Sequence, residues 1–242
     1  FFFKQKTAYE IVDCDWSSDV CSSDLGALVA AKQRDLKRLV AYSSISHLGF
    51  VMLGLVAGTT EAVQGGVIQM VNHGVSTGAL FLMAGMLNER ARTWAIAHFG
   101  GLARVMPVFA ALLVLVTFSS AGLPFTNGFT GEFLILTGAF RAPATHVWAF
   151  AVVGAVGVIL GAVYLLRMFQ QVMQGPVNPA FVAGNGGANG PVAIGDLTSR
   201  EMLILAPLAV LIIWIGVYPK PFLDRSAPAV RAVTASFAGA SR

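Results

Sequence analysis

The chain has 242 residues, 56% of them hydrophobic and only 12% charged, with a mean hydropathy of +0.71. That composition excludes a disordered tail and an ordinary soluble domain, in which charged residues make up about a quarter. Sixteen Lys and Arg against twelve Asp and Glu leave +4, a surplus too small and too scattered for a nucleic-acid partner.

Residues 1–25, FFFKQKTAYEIVDCDWSSDVCSSDL, stand apart from everything that follows. They hold five of the twelve acids, both cysteines (Cys14 and Cys21) and no apolar period of 2 or 3.6. They also lack the apolar core of a signal peptide. Trp16 to Leu25, WSSDVCSSDL, resembles the translation of a sequencing-library adapter. Phe3 to Ile11, FKQKTAYEI, resembles the flow-cell end of the same construction, in the right order. The segment is expected to form no defined element and is set outside the functional argument. Residues 26–242 then carry 14 bases, seven acids and no cysteine, which leaves no thiol for redox or metal chemistry.

A bilayer core about 30 Å thick needs roughly 20 apolar residues as helix. Gly26 to Ala31 reads as the tail of one helix. Leu39 to Val56, Ala62 to Leu87, Val147 to Phe169 and Met202 to Val217 read as full spans. Val105 to Leu123 stops at a Pro-Phe-Thr-Asn-Gly break, and the same span resumes from Phe129 to Phe140. The expected fold is all-α: a polytopic transmembrane bundle of five full spans and one partial, one span broken. No segment has a strand period, so a β-barrel is not expected.

Loop charges set the orientation. Lys32, Arg34, Lys37 and Arg38 precede the first full span, and Glu89, Arg90, Arg92 and Arg104 flank the link after the second. The loop from Ala57 to Glu61 has no base. By the positive-inside rule the basic loops are cytoplasmic, with the Arg167 to Arg200 link. The segment after Tyr218 falls outside although it holds Lys220, Arg225, Arg231 and Arg242, so the rule is only partly obeyed. Lys37 and Arg38 read as topology anchors. Gly184 to Gly190, GNGGANG, lacks a preceding strand and the full glycine fingerprint, and reads as a flexible loop. Gly157 with Gly161, and Gly74 with Gly78, are small-residue pairs that permit close helix packing.

Glu132 is the only acid inside a hydrophobic segment of residues 26–242. An ionised carboxylate in hydrocarbon is costly, so Glu132 should face a polar interior. It lies just past the break, and broken helices at membrane depth recur at ion sites in transporters. The alternative is that Glu132 merely complements the positive end of the second half-helix. Gln69, His73, Ser76 and Thr77 form a polar stripe on one helix face, which points His73 at the bundle interior. A neutral imidazole accepts a proton at one nitrogen and donates from the other, which suits a relay; the alternative is a packing histidine. His47, after Ser43, Ser44 and Ser46, reads either as part of a proton uptake path or as an interfacial residue. His98 and His146 sit in loops and are given no role.

These residues bring a family into view. Arg34 to Phe50 (RDLKRLVAYSSISHLGF), Gln69 to Gly74 (QMVNHG) and Gly122 to Phe133 (GLPFTNGFTGEF) resemble the proton-pumping membrane subunits of respiratory complex I. Gly-Glu-Phe at 131–133 and Gly-Gly-Leu at 100–102 look most like its subunit M, or chain 4, branch. The similarity runs from about Ala30 to Asp224. It departs at Phe125-Thr126-Asn127-Gly128, where the family commonly has Gly directly after the proline. The resemblance implies about fourteen helices in two inverted five-helix repeats, of which this chain holds most of the second. It implies that residues 26–224 are the proton-translocating part and 225–242 a tail. Glu132 matches the acid of the second broken helix, where related antiporter-like subunits usually have Lys, and passes protons towards the periplasm. His73 and His47 match histidines of the central hydrophilic axis.

The resemblance further implies a multi-pass protein of the bacterial inner membrane, with lipid and the other membrane subunits of complex I as partners. No cofactor is expected on this chain; NADH, FMN, iron-sulfur clusters and quinone belong to the complex. Two other readings remain: an Mrp-type sodium/proton antiporter or hydrogenase-linked subunit, and a structural membrane spacer.

Overall fold

The computed structural model describes residues 16–142, 147–178 and 195–240. Residues 1–15, His146 and the Gly184 to Gly190 loop lie outside these. Among the described residues eight α-helices follow in order: α1 (Trp16–Lys32), α2 (Leu36–Val56), α3 (Thr60–Ala91), α4 (Pro107–Ser120), α5 (Asn127–Phe140), α6 (Val147–Met173), α7 (Ser199–Val217) and α8 (Lys220–Ala240). Among the described residues there is no strand, only an isolated bridge between Asp35 and Ala95.

Helices α2, α3, α6 and α7 are each long and apolar enough to cross a bilayer. Helices α4 and α5 have 14 residues each, about 21 Å of helix, so neither crosses alone. Joined through the break they make the fifth span, and the expected all-α bundle is what forms.

Two elements differ from the sequence reading. Helix α1 begins at Trp16, inside the segment expected to form no element. Extending an existing helix costs far less than nucleating one, so the Ser- and Asp-rich stretch follows from Gly26 backwards. The C-terminal region, read only as a tail, contains α8. Its Leu223 carbonyl accepts from Gln64 Nε2 at 2.8 Å, and Thr234 lies 3.4 Å from Thr60, oxygen to oxygen. Leu223 and Thr234 are about 16 Å apart along α8, whereas Thr60 and Gln64 span about 6 Å of α3. Helix α8 therefore crosses the outer end of α3 instead of running beside it. It is too polar to register as a span.

The connecting loops gather at two ends, in keeping with the charge reading. At one end Leu36 N–H donates to Trp94 O (2.9 Å), Ile96 N–H to Arg34 O (2.8 Å), and Gly101 N–H to Gln174 O (2.9 Å). Arg90 joins the same end, donating to Glu201 at 2.6 Å. The opposite end carries the exposed Arg141–Glu61 pair at 2.8 Å and Thr59 Oγ1 donating to Gly138 O at 3.0 Å.

At the basic end Asp196 caps α4 from a distance, accepting from Val108 N–H (2.9 Å) and Phe109 N–H (3.0 Å). Partial burial acts to raise its carboxyl, but backbone donors at Val108, Leu197 and Phe109 and the charge of Arg90 outweigh it. The carboxyl is held below the usual carboxylate range. A depressed folded-state value stabilises the fold above the unfolded value and loses that contribution as pH falls through the folded one. Asp196→Ala should therefore cost about 1 kcal/mol at neutral pH. Thermal unfolding in detergent should show the gap between variant and parent closing as the pH is lowered.

One apolar cluster, including Leu36, Met83, Leu102, Leu165 and Met168, fills the basic half of the bundle. A smaller one of Phe50, Leu53, Ile135, Ala139 and Ala151 fills the other.

Candidate functional site

The break between α4 and α5 is built from backbone whose hydrogen bonds are supplied locally. Ala121 N–H donates to Thr117 O at 2.9 Å, Leu123 N–H to Phe118 O at 3.0 Å, and Thr126 N–H to Leu123 O at 3.1 Å. Irregular backbone at membrane depth survives only with such partners. Phe125 takes a left-handed φ of 72°, at the position where the resembled family commonly has Gly. Its side chain is 76% exposed, so it escapes the crowding that the backbone imposes.

Helix α3 braces the break with side chains. Asn72 Nδ2 donates to Asn127 O at 2.7 Å and to Gln69 Oε1 at 3.2 Å. Asn127 Nδ2 donates back to Asn72 O at 3.3 Å and to Ser76 Oγ at 3.2 Å. Ser76 and Ser119 are 2.6 Å apart, and Ser119 also donates to Asn127 Oδ1. Gly131 makes this approach possible, because a Cβ there would lie 2.9 Å from Gln69 Cβ. Of the polar stripe foreseen on α3, Ser76 thus bonds to the break directly and Gln69 through Asn72. Asn127 and Ser119 escaped the sequence reading, although a polar residue directly after the proline break was a usable signal.

The three candidate residues come together from three helices. Glu132, on α5, is 6% exposed, and its Oε1 lies 3.9 Å from His47 Nδ1 on α2. His47 and His73, the latter on α3, have ring centroids 5.9 Å apart at an interplanar angle of 52°. The order in space is Glu132, His47, His73. Glu132 sits about a turn and a half into α5, beyond the first turn in which a helix end acts strongly. His98 is exposed and closes a short 3-10 turn, Ile96–His98, whose Ile96 is buried in the apolar core.

Two small cavities flank His47, each of about 10 Å³. One is lined by His73, Gln69, Asn72 and Ser119, the other by Glu132, Ser46, Gly157 and Gly161. His47 and Ser120 line both. Each is at the size that takes about one water. Buried around them without a hydrogen-bond partner are His47 Nε2, His73 Nε2, Asn72 Oδ1 and Ser120 Oγ. Such atoms are costly unless something hydrogen-bonds to them. Chemically, the arrangement is a short chain of proton donors and acceptors. Among the described residues no group of three His, Cys, Asp or Glu is placed to hold a metal.

A polytopic helix bundle with an interrupted span and ionisable side chains buried beside it is the architecture in which membrane transporters hold their ion sites. Residues 16–160 match the family described as NADH:quinone oxidoreductase/Mrp antiporter, TM. The chain belongs to that family and is a multi-pass membrane protein. It is 42% identical over 205 residues to NADH-quinone oxidoreductase subunit M of Mycobacterium tuberculosis, covering 85% of this chain and 34% of that one. A chain of the structure titled respiratory complex I from Thermus thermophilus with bound NADH superposes with a TM-score of 0.76 at 34% identity. That match covers 89% of this chain and 43% of the other. The Mrp complex from Dietzia sp. DQ12-45-1b gives a TM-score of 0.78 at 20% identity, over 93% and 48%, and so shares the fold. The chain spans about a third of the length of the curated relatives it matches.

Proposed function

We propose that this chain is most of the second repeat of a proton-translocating subunit, of the subunit M or chain 4 type, of a bacterial NADH-quinone oxidoreductase in the inner membrane. The observation that carries the reading is the sequence Glu132, His47, His73, a buried carboxyl and two partly buried imidazoles within relay reach across three helices. His73 receives a proton from the central axis and His47 carries it across the gap between the two cavities. Glu132 takes it and releases it towards the outer side. The neutral imidazoles pass a proton by accepting at one nitrogen and donating from the other. Asn127, Asn72 and Ser119 keep the half-helix in register so that the carboxyl stays opposite His47. Electron transfer from NADH through FMN and iron-sulfur clusters to quinone takes place in other subunits. This chain binds none of these groups; its partners are the neighbouring membrane subunits and lipid.

The shared fold with the Mrp complex favours one alternative, a sodium/proton antiporter subunit. Against it stands Glu132, because related antiporter-like subunits usually carry Lys at that position. Two measurements decide. Deleting the complete gene should abolish NADH-driven acidification of inverted membrane vesicles, and complementation should restore it. Expressed alone in cells lacking sodium/proton antiporters, the subunit should give no sodium-dependent proton exchange; robust exchange without NADH would establish the antiporter reading instead.

We further propose that residues 1–25 derive from a sequencing adapter and that the functional region is 26–224. Resequencing the genomic locus should return different codons upstream of Gly26; an identical reading would overturn this division.

A further inference from the structure

Ser120, the last residue of α4, takes no part in the relay above. It is 5% exposed, and its hydroxyl is buried without a hydrogen-bond partner. A helical serine has a ready acceptor in the carbonyl one turn back. Ser43 and Ser44 both use it, donating to Val40 O at 2.7 and 3.2 Å. Ser120 does not. Its neighbour Ser119, about 100° round the helix, is committed to Ser76 and Asn127. Of the other hydroxyl-bearing residues around the two cavities, Ser76, Thr77 and Ser119 line only the first and Ser46 only the second. Among the described residues, Ser120 and His47 are the two that line both.

The 3.9 Å between Glu132 Oε1 and His47 Nδ1 is longer than a hydrogen bond, and a polar contact of that length is suited to a bridging water. Both residues line the second cavity. Nδ1 is the nitrogen that meets Glu132, while Nε2 is buried without a partner.

We propose that the Ser120 hydroxyl is a proton-carrying group that joins one water in each cavity and resets His47 after every passage. In a forward passage His47 accepts a proton at Nε2 from the first cavity and releases the one on Nδ1 to the Glu132 carboxylate. The neutral ring is left with its hydrogen on Nε2, where it can no longer accept. Turning the ring over needs space, and cavities of about 10 Å³ leave little beside it. Through Ser120 the hydrogen returns instead. Nε2 gives its proton to the water of the first cavity, and that water passes one of its own to Ser120 Oγ. Ser120 releases its original hydrogen to the second water, which protonates Nδ1. Every O–H or N–H bond broken is matched by one formed, the serine and both waters end neutral, and only the tautomer of His47 has changed. A hydroxyl suits this place because it accepts and donates at once. The inference rests on the proposed proton-translocating role of Glu132 and His47.

The test is the pair Ser120→Thr and Ser120→Val in the complete subunit within the assembled complex, with Glu132→Gln measured in parallel. Thr and Val have nearly the same shape, and one offers a hydroxyl where the other has a methyl. At equal amounts of complex in the membrane, NADH-driven pumping by the Val variant should be at least about tenfold slower than by the Thr variant. Ser120→Ala adds no bulk and serves if the branched pair does not assemble. It should slow pumping by about tenfold as well, without lowering the unfolding temperature, because the hydroxyl it removes has no partner to lose. Equal pumping by assembled Thr and Val variants, fast or slow, or parental pumping by the Ala variant, would show that the hydroxyl carries no proton and overturn the inference. If Glu132→Gln pumps normally, the reading beneath it fails and this one falls with it. If Glu132→Gln is inactive while the Thr and Val variants match each other, only the Ser120 inference is lost.

Discussion

Glu132→Gln in the complete subunit should leave the complex assembled while lowering NADH-driven proton pumping at least about tenfold, a modest demand on a positioned acid–base group. NADH-quinone turnover should fall with it, because pumping and electron transfer are coupled. Gln keeps the shape and most of the hydrogen bonding but removes the ionisable proton. A helix-end role predicts near-normal turnover instead, since an amide oxygen still accepts from a backbone N–H. The geometry argues against that role: Glu132 is past the first turn of α5, and the break is braced by Asn127, Asn72 and Ser119. Glu132→Asp should be intermediate, because the shorter side chain lengthens the 3.9 Å gap to His47. The amount of complex in the membrane must be measured alongside. Full pumping by an assembled Gln variant would remove Glu132 from the proton path.

The second large effect is expected at Gly122, which faces Glu132 across the break. Its φ is +70°, and a Cβ there would lie 3.1 Å from Glu132 Cδ and closer still to the carboxylate oxygen Oε2. Gly122→Ala therefore meets two penalties: left-handed strain of about 1 kcal/mol and displacement of the carboxylate from His47. Pumping should fall nearly as far as in Glu132→Gln, with a lowered unfolding temperature that the Gln variant does not show. Phe125→Gly is the control within the same break. It relieves a left-handed φ of 72° and removes a side chain that packs little, so the gain in backbone freedom and the relief of strain should nearly cancel. Stability within about 1 kcal/mol of the parent and normal pumping are the expected results. If Gly122→Ala pumps like the parent, the close contact between this turn and the carboxylate has no functional weight.

The sequence alone determined the membrane bundle, the position of the break and the identity of Glu132, His47 and His73 as the residues of interest. Each of these is legible because its physics is local. Twenty apolar residues span a bilayer wherever they occur, a Pro-containing polar stretch interrupts a helix, and an acid or histidine in apolar surroundings is costly without a partner. Even the unusual Phe125 was visible, as a departure from a glycine position, before its φ was known.

The tertiary structure alone decided which polar residues meet. Gln69, Ser76 and His73 share one stripe in the sequence, yet Ser76 bonds to the broken span directly, Gln69 accepts from the bracing Asn72, and His73 faces His47. Nothing in their spacing separates those duties, because the partners, Asn127 and Ser119, lie more than 40 residues away along the chain. Helix α8 escaped because hydropathy records how apolar a segment is and not where it lies, and a helix laid across the end of a bundle need not be apolar. Helix α1 reached back to Trp16 because helix propagation depends on the turn already formed, a term that composition does not contain.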